Sequence, residues 1–312
     1  MPLAMCAMAH TPLMNFNEPG PGIRAEVESV FADARAKIAE FDPDVVVMFA
    51  PDHYNGLLYD MMPPFCVGFQ ARSFGDYGTI PGPLNVDREL GEAIVAELFA
   101  SDVDIAYSER LLVDHGVAQS LELLLGSLDA KPIVPIIINS VAEPMGPPHR
   151  SIVLGEAVGR VVANLDKKVL LIASGGLSHD PPVPRLSEVP PEVQERLIAG
   201  RNRPADAQAA HEARVIATGL EFAAGRANIM PLNPQWDTDL MRILASGDLS
   251  PIKTWTTEWV TEQGGHSGHE VRCWIAAYAA LGVAGKYKTS LSYYRAIDEW
   301  VAGLGIAFAQ QA

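Results

Sequence analysis

Strand-length apolar runs that alternate with amphipathic stretches constrain this chain more than any other feature. Residues 3–9, 44–50, 133–139 and 169–173 are nearly unbroken runs of Val, Ile, Leu, Met and Ala. Runs this short, bounded by turn residues, read as strands buried on both faces, and such strands belong to parallel sheets covered by helices on each side. Between them lie helix-like segments. Residues 23–40 carry Val27, Val30, Phe31, Ala34 and Ile38 on one face at a 3.6-residue period. Further helices are expected near 87–100, 117–126 and 151–164, with a short strand near 103–107. Residues 61–86, rich in Pro, Gly and aromatics, read as an irregular excursion. Beyond residue 190 the pattern is mostly helical, interrupted by Pro231-Leu232-Asn233-Pro234. The expected fold is α/β, a largely parallel central sheet flanked by helices in three layers, with a mostly helical C-terminal part. The Pro-rich stretch 180–191 follows a suspected site too closely to be a free linker, so one domain over 1–312 is expected.

Charge narrows the partners. The 312 residues include 38 acidic and 23 basic side chains, a net charge of −15. Nucleic acid or an anionic membrane surface would need a basic footprint, so neither is expected as partner. A small anionic substrate needs only one local Arg or Lys and stays open. The three cysteines, Cys6, Cys66 and Cys273, are far apart and form no CxxC pair, which argues against a disulfide framework or a thiolate zinc site and for a reducing cytoplasm. The first arginine is Arg24, so no basic secretory n-region is expected. The longest apolar run, 273–285, is too short to span a bilayer.

Four of the eight histidines fall where a sheet would present chemistry. His10 follows the first apolar run, His53 the second, and His179 the run ending at Ala173-Ser174, while His115 precedes the 117–126 helix. In open α/β sheets, ligands bind outside the carboxyl ends of the strands. Any one of these histidines alone is better explained as a satisfied loop residue, but three in one topological position with a fourth nearby favour a site. Glu270, in His266-Ser267-Gly268-His269-Glu270 before an apolar helix, would be unremarkable as a first-turn acid favoured by the helix dipole. Taken with His10 and His53 it completes two imidazoles and one carboxylate, the ligand set of non-haem Fe(II) centres that keep three positions open. His115 and His179 are then left as acid–base groups, a task histidine suits near neutrality. His211 reads as solvated in mid-helix, His149 as helix-start punctuation, and His266 and His269 as support for the site or as plain loop residues. There is no HExxH, GxSxG, P-loop or GxGxxG motif. Composition and spacing lead to a metal-dependent α/β enzyme and no further.

The segments Met8-Ala9-His10-Thr11-Pro12-Leu13, Phe49-Ala50-Pro51-Asp52-His53-Tyr54-Asn55-Gly56, Met62-Pro63-Pro64-Phe65-Cys66, Val113-Asp114-His115-Gly116, Gly175-Gly176-Leu177-Ser178-His179 and His269-Glu270 resemble the class III (LigB-like) extradiol ring-cleavage dioxygenases. The likeness runs over nearly the whole chain, and its DHYNG and GGLSH blocks are the specific ones. It implies Fe(II) held by His10, His53 and Glu270, with His115 as proton donor and His179 as proton acceptor. It also implies a small catechol and O₂ as substrates, and a homo-oligomer. The substrate implied is 3-(2,3-dihydroxyphenyl)propionate, and with it 2,3-dihydroxycinnamate, opened with O₂ to 2-hydroxy-6-oxonona-2,4-dienedioate in the first case. Asp52 is expected to fix the His53 ring and Asp114 the His115 ring. The carboxylate tail of such a substrate calls for a cation, for which Arg150, Arg185 and Arg295 are candidates. A zinc hydrolase using the same three ligands, or a non-catalytic binding protein, are the rivals, and consumption of oxygen separates them from a dioxygenase.

Overall fold

The computed structural model describes residues 2–201 and 203–312. Four fully buried strands form the middle of its large sheet: β1 (Leu3–Met8), β2 (Val45–Ala50), β8 (Ile133–Ile138) and β9 (Val169–Ser174). They lie side by side in the order β1-β9-β2-β8, all parallel. Alternate side chains feed two separate cores. Leu3, Met5, Ala7, Val45, Val47 and Phe49 face one, and Ala4, Cys6, Met8, Val46 and Met48 face the other. Burial on both faces is why these strands read as continuous apolar runs rather than alternating ones.

Helices cover each face, giving the three expected layers. Helices α1 (Ile23–Phe41) and α3 (His115–Leu125) pack on one side. Helices α2 (Arg88–Ala100) and α4 (Arg150–Val162) pack on the other, joined there by α9 (Val271–Val283). Helix α4 approaches α9 closely through Gly155 and Gly159, where an added Cβ would lie 2.1 and 2.6 Å from the carbonyl oxygens of Ala276 and Ala280. That contact lays α9 against β1, β2 and β9 and fixes where its N-terminus points.

Residues 61–86 are more ordered than their composition suggests. They contain β3 (Phe65–Gly68), β4 (Ala71–Ser73) and β5 (Gly82–Pro83). Strand β3 joins the main sheet antiparallel to β8 and pairs with β6 (Ala106–Ser108), while β4 and β5 form a small second sheet with β7 (Leu111–Val113). The C-terminal part is helical through α5 (Pro191–Ala199), α6 (Ala205–Ala223), α7 (Pro234–Ser246), α8 (Thr257–Gly264) and α9. It then ends in a hairpin, β10 (Tyr287–Ile297) and β11 (Ala302–Gln311), and β11 pairs antiparallel with β1. Among the described residues no helix is long and apolar enough to cross a membrane.

Candidate active site

Strands β1, β9 and β2 are neighbours and end level with one another, Met8 beside Ser174 and Ala173 beside Phe49. The chain leaving each of these ends carries a histidine: His10, His179 and His53. Glu270 closes a short turn, Ser267–Glu270, immediately before α9 and faces them fully buried. Its Oε1 lies 3.1 Å from His53 Nε2 and 3.3 Å from His179 Nε2, and its Oε2 lies 3.7 Å from His10 Nε2. The backbone N–H of Gly176 donates to Oε2 at 2.7 Å. Glycine is required in this loop. Gly175 has φ +153° and sits where a Cβ would meet Glu270, and a Cβ on Gly176 would fall 2.4 Å from the His179 ring.

Each imidazole is tethered through Nδ1, which sets its tautomer. His53 Nδ1 faces Asp114 Oδ2 at 3.2 Å, His179 Nδ1 faces the Leu177 carbonyl at 2.9 Å, and His115 Nδ1 faces Asp76 Oδ2 at 2.5 Å. These partners only accept, so Nδ1 donates in all three. His10 Nδ1 lies 2.9 Å from Ser174 Oγ, whose own proton goes to the Gly116 carbonyl, so His10 Nδ1 donates as well. All four rings are left with Nε2 directed into one space. A neutral Nε2 offers a lone pair, and three such lone pairs facing a carboxylate repel it unless ring protons or a metal cation stand among them. A buried anion bounded by imidazoles is therefore a cation-binding arrangement.

The donor geometry fits a metal ion. Ligands bound at about 2.1 Å and at right angles lie about 3 Å apart; Glu270 stands 3.1 Å from His53, close to that value, and 3.7 Å from His10, somewhat beyond it. The nitrogens of His10, His53 and His115 also lie within 4.8 Å of one another. Glu270 is the better third donor, because the anion offsets the charge of a divalent ion in a dry site. Burial, opposed by the Glu270 carboxylate and aided by the His115 and His53 rings, lowers His10 to about 3, keeping its Nε2 free to ligate. Burial would raise Glu270, yet the His179 and His10 imidazoles hold it well below the usual carboxylate range. Burial would lower His53, but the Asp114 carboxylate and Glu270 hold it well above the usual imidazole range.

The carboxylates are distributed differently from the sequence expectation. Asp114, not Asp52, orients His53, accepting its backbone N–H at 2.7 Å as well as Nδ1–H, and it takes Asn55 Nδ2–H at 3.0 Å. It also caps α3 through the Gly116 N–H at 2.9 Å. Asp52 closes the turn that follows, accepting the N–H groups of Asn55, Gly56 and Leu57. Gly56 is forced by close approach, since a Cβ there would lie 2.0 Å from the Leu112 carbonyl oxygen. His115 is the first residue of α3, and Asp76 orients it through both the backbone N–H at 2.8 Å and Nδ1–H. Asp76 was hidden in the excursion. Its only sequence signal is an Asp between Gly75 and Gly78, and the turn there holds Tyr77 at φ +48°, strain of the kind that collects at functional sites.

A cavity of about 340 Å³ opens from the histidines. The Pro-rich stretch 181–190 forms one wall, and a small satellite core that includes Tyr54, Leu58, Leu197 and Val183 anchors it to the His53 loop. Arg150, Arg185 and Arg295 do not line the cavity. Arg185 engages His266 and Glu188, and Arg295 engages Glu26. Arg196, Arg203 and Arg214 line it instead, as does His211, which is half-buried rather than solvated. His269 turns away from the site, to Thr261 and Arg272.

Fold and site together define an α/β enzyme with a metal-competent His/carboxylate centre at the carboxyl ends of parallel strands. The model of a family described as the catalytic LigB subunit of aromatic ring-opening dioxygenase matches residues 4–305. A protein of Rhodococcus jostii (strain RHA1) named 2,3-dihydroxyphenylpropionate/2,3-dihydroxicinnamic acid 1,2-dioxygenase is 57% identical over 309 residues, covering 99% of this chain and 98% of its own. A protein of Dechloromonas aromatica (strain RCB) with the same name, numbered 1, is 48% identical over 311 residues and all of both chains. The chain belongs to the LigB family: it is a metal-dependent extradiol ring-cleavage dioxygenase. In fold it is similar to the crystal structure of an uncharacterized Escherichia coli K12 protein, JW3007, with TM-score 0.54 at 13% identity over 97% of this chain and 98% of that one.

Proposed function

We propose that the chain uses Fe(II) and O₂ to open the ring of 3-(2,3-dihydroxyphenyl)propionate, giving 2-hydroxy-6-oxonona-2,4-dienedioate, and that it also accepts 2,3-dihydroxycinnamate. The carrying observation is the buried Glu270 carboxylate with three Nδ1-tethered imidazoles turned toward it. The substrate follows from the names of full-length relatives 46–57% identical. His10, His53 and Glu270 would hold the iron, which when bound supplies a shared centre for diol and O₂ and a path for electrons between them.

The chain's own residues handle the protons. His179, with Nδ1 donating to the Leu177 carbonyl, presents Nε2 beside Glu270 and receives a hydroxyl proton of the diol there. His115, stacked on His53 with ring centroids 4.4 Å apart, is held at Nδ1 by Asp76, and its Nε2 hands a proton to the oxygen leaving during ring opening. The wall 181–190 gives this exchange a largely apolar, proline-rich boundary. The pairing of β1 with β11 supports reading 1–312 as one domain. The three buried free cysteines suit a reducing cytoplasm. A homo-oligomer is carried over from the resemblance.

The test is oxygen uptake and visible absorbance of anaerobically purified, Fe(II)-loaded protein given 3-(2,3-dihydroxyphenyl)propionate. Stoichiometric uptake with a yellow ring-opened product is expected. His179→Ala and His115→Ala should each lower kcat by about 10²–10⁴-fold while iron stays bound. No uptake by the iron-loaded protein, or unchanged kcat in both variants, would overturn the proposal.

A further inference from the structure

Among the described residues, three arginines line the cavity with no carboxylate oxygen within 4.0 Å. Arg196 lies on α5, Arg203 in the link to α6, and Arg214 on α6. Acidic side chains are plentiful in this chain, and eight other arginines each pair with one within 4.0 Å. Within the cavity, Asp76 and Glu270 are already taken up by histidines. Arg203 is half-buried, and its side-chain partner is the amide oxygen of Gln208, 3.0 Å from Nη1. Gln208 donates in turn to Glu212 Oε1 at 2.7 Å, and that same oxygen accepts the backbone N–H of Tyr77 at 3.2 Å. The nearby acid thus engages the Gln208 amide and the Tyr77 backbone through Oε1, with Gln208 standing between it and the guanidinium. Tyr77 packs edge-on to His115, with centroids 5.0 Å apart, so the hydrogen-bonded chain from Arg203 through Gln208 and Glu212 ends at the residue that packs on the proton-donor ring. Arg203 is half-buried while Arg196 and Arg214 are exposed, and like charges lining one cavity are unfavourable until an anion joins them.

From this geometry we infer that Arg203, backed by Arg196 and Arg214, binds the side-chain carboxylate of the substrate and so selects which substituted catechols are cleaved. The inference rests on the function proposed above and adds the residue that reads the tail. A guanidinium can hold a carboxylate by two parallel hydrogen bonds, a specificity that no neutral tail can satisfy.

Two measurements on the Fe(II)-loaded enzyme test it. The first is the ratio of kcat/KM for 3-(2,3-dihydroxyphenyl)propionate to that for its methyl ester, in wild type, Arg203→Met and Arg203→Lys. The second is the dissociation constant of 3-phenylpropionate, which carries the tail but no diol and so reads the anion site without ring cleavage. Arg203→Met should lower the ratio by about ten- to a hundredfold, mainly through KM of the acid, and weaken phenylpropionate by a similar factor. Arg203→Lys should recover part of both. A wild type that cleaves acid and ester equally, or an unchanged ratio and unchanged phenylpropionate binding in Arg203→Met, overturns the inference while ring cleavage itself stands. Phenylpropionate binding that depends on Arg203 in a protein that cleaves no catechol would uphold the anion site and overturn the function above.

Discussion

At the scale of single residues, this site depends on which atom of each ring is tied down. Nδ1 tethers to Ser174, Asp114, Asp76 and Leu177 leave every Nε2 free to work. Two carboxylates that look equivalent in sequence therefore have separable consequences. Asp114→Asn should weaken iron binding about 10–100-fold through His53, read by iron titration. Asp76→Ala should leave iron content unchanged and lower kcat about a hundredfold through His115, read by oxygen uptake. The opposite pattern would show that the pairing is wrong. The histidines themselves were legible because three of them follow apolar runs and His115 stands just before a helix. Their partners were not, because Asp76 reaches His115 from 39 residues away and Asp114 reaches His53 from 61.

At the scale of elements, the metal-competent centre is set by how α9 lies against the sheet. Glu270 starts that helix, and α4 fixes it through the glycines at 155 and 159. Gly155→Val would drive a side chain into the Ala276 carbonyl, so overpacking should cost about 1–3 kcal/mol and lower Tm by several degrees. It should also weaken iron binding, since α9 cannot shift without moving Glu270. Gly146→Ala, whose Cβ would find Arg150 Cγ at a comfortable 3.9 Å, is the neutral control in the same thermal melts. The β-rich content of 61–86 escaped the sequence because β3, β4 and β5 are two to four residues long. Strands so short show no period, and they exist only because neighbours offer edges to pair with.

At the scale of the whole molecule, a protein of net charge −15 gathers three arginines along one cavity, beside the Asp76 and Glu270 carboxylates. The site also couples metal to stability. A hundredfold excess of Fe(II) over Kd stabilises the folded state by roughly 2.7 kcal/mol, so Tm should rise by about 5 °C on loading and fall again with a chelator. Glu270→Ala should abolish that shift, and a shift that persists would place the metal elsewhere. By itself the sequence determined the parallel sheet, its helical layers and the histidines at the strand ends, because burial and periodicity are local signals written in consecutive residues. Only the tertiary structure decided which carboxylate holds which ring, that Glu270 faces them, and that Arg196, Arg203 and Arg214 meet in one cavity. Those relations join segments tens to hundreds of residues apart, and they arise from packing that no local pattern encodes.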